Sequence, residues 1–269
     1  MRPAERVTPE LLRAWPLPEP DDDGDKSTRG TVHVLGGAVS TPGAVLLAGV
    51  AALRAGAGKL MITTVVQTAV GVAVAVPEAK VDGVASDGDG SLSACQVDGG
   101  ADAFVVGPGI LAPGSLVECV LPACGSAGLV IDAVALHDLP DRLPDRTVLT
   151  PNVKELVSLA DREGEPDDLA VEVAAARGAV VVTRGWVAAP DGALWRDEAG
   201  SITLATSGSG DVLAGIIGGL LARGAEPAQA GCWGQYLHGR AGARRAEGRL
   251  GLLARELLDE VPLVLADLS

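Results

Sequence analysis

Short apolar runs that stop on turn residues recur along this chain. They are TVHVLGG at 31–37, KLMITT at 59–64, AFVVGPG at 103–109, LVIDA at 129–133, TVLTPN at 147–152 and AVVVTRG at 179–185. Between several of them lie helical patterns, such as PGAVLLAGVAALRAGAG at 42–58 and VKELVSLA at 153–160. A continuous apolar run is a strand buried on both faces, and strands alternating with helices build a mainly parallel sheet. The expected fold is therefore α/β, a mainly parallel sheet flanked by helices. Residues 187–204 read as a hairpin turning at Asp191–Gly192, and the 210–260 region as helical throughout. No repeat, low-complexity tract or Pro/Ser linker divides the chain. The expectation is a polar lead-in over residues 1–28 and a single domain over 29–269.

In such sheets ligands sit beyond the carboxyl ends of the strands. Those ends carry Gly36–Gly37, Thr63–Thr64, Gly107–Pro108–Gly109, Asp132, Thr150–Pro151–Asn152 and Thr183–Arg184–Gly185. Polar and glycine-rich residues thus gather where a ligand would bind. A further stretch, TSGSGDVLAG at 206–215, leads into apolar positions Val212, Leu213, Ile216, Ile217, Leu220 and Leu221, one buried helical face. Thr206 to Gly210 therefore lie at a helix N-terminus, where unpaired N–H groups and the helix dipole favour an anion. Glycines there let a phosphate approach. The same letters also suit a flexible turn with Asp211 as N-cap. Both readings stand on local sequence.

Charge narrows the ligand. The formal net charge is −14 without a Lys/Arg-rich run, which disfavours nucleic acid, whose binding is dominated by phosphate neutralisation. An anionic ligand would need local positive charge from backbone N–H groups, a few Arg or Lys residues and a divalent cation. With 2% aromatic residues, the chain also lacks stacking platforms for single strands. Cys95, Cys119, Cys124 and Cys232 form no CxxC pair, and His33, His137 and His238 are the only histidines. Buried thiols in a reducing compartment are expected, with no protein-bound metal. The N-terminal MRPAERVTPELLRAW lacks a signal-type apolar core, and no membrane-length apolar run occurs, so a cytoplasmic protein is expected.

Several motifs are decoys. GAGK at 56–59 is no P-loop, because Leu60 stands where Ser/Thr must hold Mg²⁺ and Leu53 replaces the first Gly. GGAVSTPG at 36–43 is no dinucleotide fingerprint, and no G-x-S-x-G elbow is present. His238, in QYLHG, reads as a packing or hydrogen-bonding histidine.

GSGD opening a helix, GPG after a strand, TPNVKEL after another and TRG ahead of a hairpin resemble the ribokinase-like fold, a three-layer sandwich. Within it, KSTRGTVHVLGGAVSTPGA, AALRAGAG, VVGPGI, IDAVAL, LTPNVKEL and LATSGSGDVLAG resemble the ADP- or ATP-dependent NAD(P)H-hydrate dehydratase family, from about Lys26 to Leu265. The resemblance implies repair of hydrated NADH and NADPH (NADHX and NADPHX). ADP or ATP, with Mg²⁺, phosphorylates the hydrate's hydroxyl, and loss of phosphate restores the dihydronicotinamide.

By motif position it implies Asp211 as base and Gly208, Ser209 and Gly210 as the anion hole, with Gly210 touching the nucleotide. Arg184 and Gly185 would lie beside the phosphates or ribose. Ala44, Gly109 and Asn152, with Asp211, would line the hydrated-nucleotide pocket. Asn152 equally suits a helix N-cap, with Glu155 completing a capping box.

The resemblance further implies a homo-oligomer and a functional partner, an NAD(P)H-hydrate epimerase, on a separate chain. The chain departs from the family pattern: TPH is TPN at Asn152, DADAL is DAVAL with Val134, KG is Arg184–Gly185 and TGGSGD is TSGSGD. Arg keeps the charge with another geometry. Two rival readings remain, a ribokinase-like small-molecule kinase and a non-catalytic nucleotide-binding module.

Overall fold

Successive residues of a strand face opposite ways, and here both faces are apolar. Val32, Val34, Val105, Val130 and Val182 join one core cluster, and Leu35, Phe104, Ile131, Leu149 and Val181 join a second on the other face. Each such fully buried side chain contributes about 1.5–3 kcal/mol. The computed structural model describes residues 3–18, 28–200, 204–249 and 251–268.

Parallel strands β2 (Thr31–Leu35), β3 (Lys59–Val65), β4 (Ala79–Val84), β5 (Ala103–Val106), β6 (Gly128–Ile131), β7 (Thr147–Leu149) and β8 (Val180–Thr183) form the centre. β9 (Trp186–Ala188) returns antiparallel to β8, and β10 (Leu194–Arg196) antiparallel to β9. With β1 (Glu5–Arg6), the order is β1-β10-β9-β8-β7-β6-β5-β2-β3-β4.

Helices α2 (Gly43–Arg54), α7 (Ser209–Ala222), α8 (Pro227–Ala246) and α9 (Ala254–Ala266) cover one face. Helices α4 (Leu116–Cys124), α5 (Val153–Ala160) and α6 (Pro166–Arg177) cover the other, while α3 (Val66–Ala75) packs on β3 and β4. Close packing of α2 on α7 sets the height of the α7 N-terminus. A Cβ at Gly215 would lie 2.1 Å from Ala48 O, and one at Gly219 2.4 Å from Ala52 O. Only glycine permits that approach.

Three expectations change. Residues 1–28 are not a mere lead-in: Glu5–Arg6 pair with β10, and α1 (Pro9–Ala14) buries Leu12 completely. Thr8 caps α1, its hydroxyl accepting from Leu11 N at 3.2 Å, and Trp233 Nε1 donates to Trp15 O at 2.9 Å. The sparse apolar positions concealed this, although Thr8-Pro9-Glu10 is an ordinary helix start. The acidic run within PLPEPDDDGDK falls mostly on 19–27, outside the described residues. The 210–260 region is three helices, broken around Gly224 and again between Ala246 and Ala254. β4 and α3 also form where no element was expected.

The hairpin turns as expected: Gly192 N donates to Ala189 O and Ala193 N to Asp191 Oδ1, each at 3.0 Å. Its distal end at 201–203 lies outside the described residues. The four cysteines are free, Cys124 and Cys232 buried, Cys95 and Cys119 half-buried.

Candidate active site

Helix α7 begins at the carboxyl end of the sheet. Its N-cap is Gly208, at φ +87°, where a Cβ would lie 2.5 Å from Leu47 Cδ1. The left-handed backbone favours glycine, and a side chain there would also have to displace the tip of Leu47. Ser209 N bonds Thr206 O and Val212 N bonds Gly208 O, each at 3.2 Å. The amides of Gly210 and Asp211 find no acceptor among the described residues, and no side chain caps the helix. An anion is the natural partner of such groups. Gly210 faces open space, with nothing within 4 Å of a Cβ built there.

Asp211 is therefore not the N-cap. It is the third residue of α7, and its half-buried carboxylate makes no hydrogen bond among the described residues. Loss of hydration raises its pKa to about 6. A carboxylate placed there holds a proton more readily than an exposed aspartate.

Two consecutive residues of α8 tie this helix end to the β8–β9 turn. His238 Nε2 lies 2.8 Å from Ser209 Oγ in the buried interior, and burial lowers the imidazole pKa to about 4, so the ring is neutral. A Cβ at the next residue, Gly239, would lie 2.8 Å from Asp197 Oδ2. Asp197 N donates in turn to Gly185 O at 2.7 Å. Asp197 itself is buried, which raises its carboxyl to about 6.

Arg184 is exposed at φ +41°, a strained conformation for a residue with a Cβ, and Arg196 Nη1 donates to its carbonyl at 2.7 Å. Its guanidinium makes no ion pair among the described residues. Arg196 also lies 4.4 Å from the Trp186 ring centroid, a cation–π contact that fixes the turn.

The second limb lies at the ends of β5, β6 and β7. Thr41 Oγ1 donates to Gly109 O at 2.6 Å, and a Cβ on Gly109, at φ +71°, would meet Ala44 Cβ at 2.8 Å. The two small residues are in contact. Asn152 caps α5: its Oδ1 accepts from Lys154 N and Glu155 N at 2.9 and 3.1 Å, and Glu155 Oε2 accepts from Asn152 N at 2.8 Å.

Between Gly109 and Asn152 along the strand ends stands Asp132, 6% exposed, whose Oδ1 accepts from Thr150 Oγ1 at 2.8 Å. Burial first, and then the charge of Asp211, push its pKa to about 7. This repulsion couples the two limbs. The sequence marked Asp132 only as a strand-end residue; an acidic residue closing an apolar strand was the available signal. His238 is the hydrogen-bonding histidine expected from QYLHG, its partner Ser209; Arg196, which bonds the Arg184 carbonyl, carried no signal.

Among the described residues no group of three or more His, Cys, Asp or Glu gathers to hold a metal, and no helix is long and apolar enough to cross a membrane. A recess of about 530 Å³ lies at the opposite end of the sheet, lined by Asp102, Arg146 and Leu221, and contains none of the site residues. The strand carboxyl ends carry the polar groups and the unpaired amides, so the site belongs there.

A family model described as NAD(P)H-hydrate dehydratase matches residues 32–263. The chain is 44% identical to an ADP-dependent (S)-NAD(P)H-hydrate dehydratase of Xanthomonas campestris, over 96% of this chain and 95% of that protein. It is 34% identical to a bifunctional NAD(P)H-hydrate repair enzyme of Moorella thermoacetica, of which it spans 54%. An ADP/ATP-dependent NAD(P)H-hydrate dehydratase of Bacillus subtilis, co-crystallised with ATP and Mg²⁺, superposes with a TM-score of 0.84 at 31% identity, covering all of both chains. The architecture is also that of ribokinase-like proteins at lower identity.

Proposed function

The chain belongs to the NAD(P)H-hydrate dehydratase family, and from that premise we propose how its strand-end site restores hydrated NADH and NADPH at the expense of ADP or ATP. The observation that carries the reading is the first turn of α7. Unpaired amides for a phosphoryl group stand beside a desolvated carboxylate that caps nothing. Asp211 takes the proton of the hydrate's hydroxyl as its oxygen attacks the terminal phosphorus. The turn of Gly208, Ser209 and Gly210 forms the anion hole, in which the free amides of Gly210 and Asp211 steady the transferring group, where positioning and charge stabilisation dominate.

Arg184 and Gly185 hold the nucleotide's phosphates or ribose. Ala44, Gly109 and Asn152 line the hydrate pocket, the first two by leaving room and the third by donating its amide. Loss of phosphate then gives the dihydronicotinamide of the S hydrate's parent cofactor. Mg²⁺ is proposed to enter with the nucleotide, where it would lower the charge on the phosphates.

Residues 29–269 with β1 and α1 form one domain in this reading. A homo-oligomer, with an NAD(P)H-hydrate epimerase as functional partner, completes it; the match to bifunctional NAD(P)H-hydrate repair enzymes supports the partner. Unpaired cysteines suit a reducing compartment such as the cytoplasm.

The test is recovery of dihydronicotinamide absorbance from hydrated NADH or NADPH mixed with the protein, Mg²⁺ and either ADP or ATP. Recovery with one nucleotide and none without it is expected. A stable phosphorylated product would instead make the protein a kinase, and nucleotide binding without turnover would make it a binding module.

A further inference from the structure

Dehydration of an alcohol to a double bond removes two protons: one from the hydroxyl, and one from the carbon next to the one that bore it. The proposed function uses Asp211 for the first. Once protonated, Asp211 cannot serve the second without releasing its proton. We propose that Asp132 is the second proton acceptor, taking the carbon-bound proton as phosphate departs.

The inference rests on the proposed function and deepens it. In the first step the hydroxyl oxygen bonds to the terminal phosphorus. The bond from that phosphorus to the bridging oxygen breaks, its electron pair leaving on the nucleotide, and the hydroxyl proton passes to Asp211. In the second, the C–O bond breaks with its pair leaving on phosphate, which takes the proton held by Asp211 and departs as hydrogen phosphate. The C–H pair of the neighbouring carbon becomes the ring double bond, and that proton passes to Asp132. The hydroxyl proton thus ends on phosphate and the carbon-bound proton on Asp132, with no redox change.

The placement comes from the fold. Asp132 ends β6, between the β5 end with Gly109 and the β7 end with Thr150 and Asn152, the limb assigned to the hydrate. It is 6% exposed, with one oxygen held by the Thr150 hydroxyl at 2.8 Å. The next residue, Ala133, sits at φ +53°, an αL strain for alanine that the strand end holds in place. The charged groups that act on Asp132 are Asp211 from α7 and Glu155 from α5, both anionic; no cation offsets them among the described residues. The Thr150 hydroxyl and the Ala133 amide favour its charged form. A carboxyl raised to about 7 in this way is basic enough to accept a carbon-bound proton and ionised enough to do so near neutrality.

Single turnovers with ADP, Mg²⁺ and hydrated NADH, quenched and assayed for both AMP and dihydronicotinamide, test this. In the parent protein the two products rise together. In Asp132→Asn, AMP should form within about tenfold of the parental rate, while dihydronicotinamide lags by about a hundredfold or more. Deuterium on the carbon that loses the proton should slow recovery but not AMP formation.

If Asp132→Asn yields both products together at the parental rate, the departing phosphate or Asp211 takes the proton and the proposal fails. It also fails if AMP is lost together with dihydronicotinamide, for Asp132 then serves phosphoryl transfer. Should Asp132→Asn not fold, Thr150→Val gives a second arm. Losing a donor to the carboxylate raises its pKa, so the acid limb of dihydronicotinamide recovery should move up in pH while that of AMP formation stays. An unmoved limb defeats the proposal. If the parent protein forms neither product from any nucleotide, the proposed function itself falls.

Discussion

Asp211 stands third in α7 with its carboxylate unbonded among the described residues, and one substitution reads its role. Were it a cap, Asn would serve as well. As a base it must accept a proton, which an amide cannot do. Asp211→Asn should melt no lower than the parent and bind ADP at least as tightly, while turnover of the hydrate falls by about a hundredfold or more. Full activity in the folded variant would sink the catalytic role. Its glycine neighbours divide differently. A Cβ at Gly210 meets nothing within 4 Å, whereas one at Gly208 would strike Leu47 at 2.5 Å. Gly210→Val should therefore abolish turnover with little change in apo melting temperature, and Gly208→Val should melt the protein early. Equal loss of stability in both would make Gly210 a packing residue.

The turn between β8 and β9 is a small rigid element. The strained Arg184 carbonyl is bonded by Arg196, Gly185 by Asp197, and Arg196 lies against Trp186. The Arg184 side chain projects from it without an ion partner among the described residues. Losing a charge-assisted contact of this kind costs about 1.5–3 kcal/mol. Arg184→Ala should weaken ADP binding by about one to two decades in calorimetry with the fold intact; an unchanged dissociation constant would place the nucleotide elsewhere. At the other end of the chain, α1 belongs to the folded body. Leu12→Ala should cost about 2–5 kcal/mol in urea titration. A loss under about 0.5 kcal/mol, the usual range for surface positions, would return the segment to a lead-in.

Over the whole molecule, buried titrating groups pull stability in opposite directions with pH. Asp132, Asp197 and Asp211 have folded pKa values raised to about 7, 6 and 6 by burial. The folded state keeps protons that the unfolded chain releases, so this stabilisation is full below the unfolded value near 4 and is lost as pH rises through 6–7. Buried His33 and His238 are lowered to about 4, also by burial. They bind protons on unfolding, so their contribution is present above about 6.5 and is lost as pH falls towards 4. The terms offset in the parent protein, and a variant separates them. Asp132→Asn should melt above the parent at pH 8, where it removes a buried charge, and match it near pH 4. Parallel melting curves at all pH values would mean that Asp132 is not held in a charge-hostile site. Activity runs the other way from the aspartate term, falling below about pH 7 as Asp132 protonates and further below about pH 6 as Asp211 does.

The strand runs at 31–37, 103–109 and 179–185 needed no tertiary context, because apolar residues on both faces have only one place to go, the middle of a layered sheet. The glycines and acidic residue of TSGSGD likewise marked a helix start, suited equally to an anion or to a capped turn. Local letters could not decide whether Asp211 caps that helix. Capping depends on which residue leaves helical geometry first, and in the structure that residue is Gly208, left-handed at φ +87°. Nor could they pair Asp132 with Asp211 or His238 with Ser209, since sequence separation conceals which side chains a parallel sheet brings to one edge. The sparse apolar residues of the N-terminal segment carried too weak a period to mark a strand and helix. The exposed β10 edge and the groove beside Trp233 gave them their places. Composition and period thus determined the layers and the end of the sheet that binds; packing between distant elements decided which carboxylates face one another and how strongly each holds a proton.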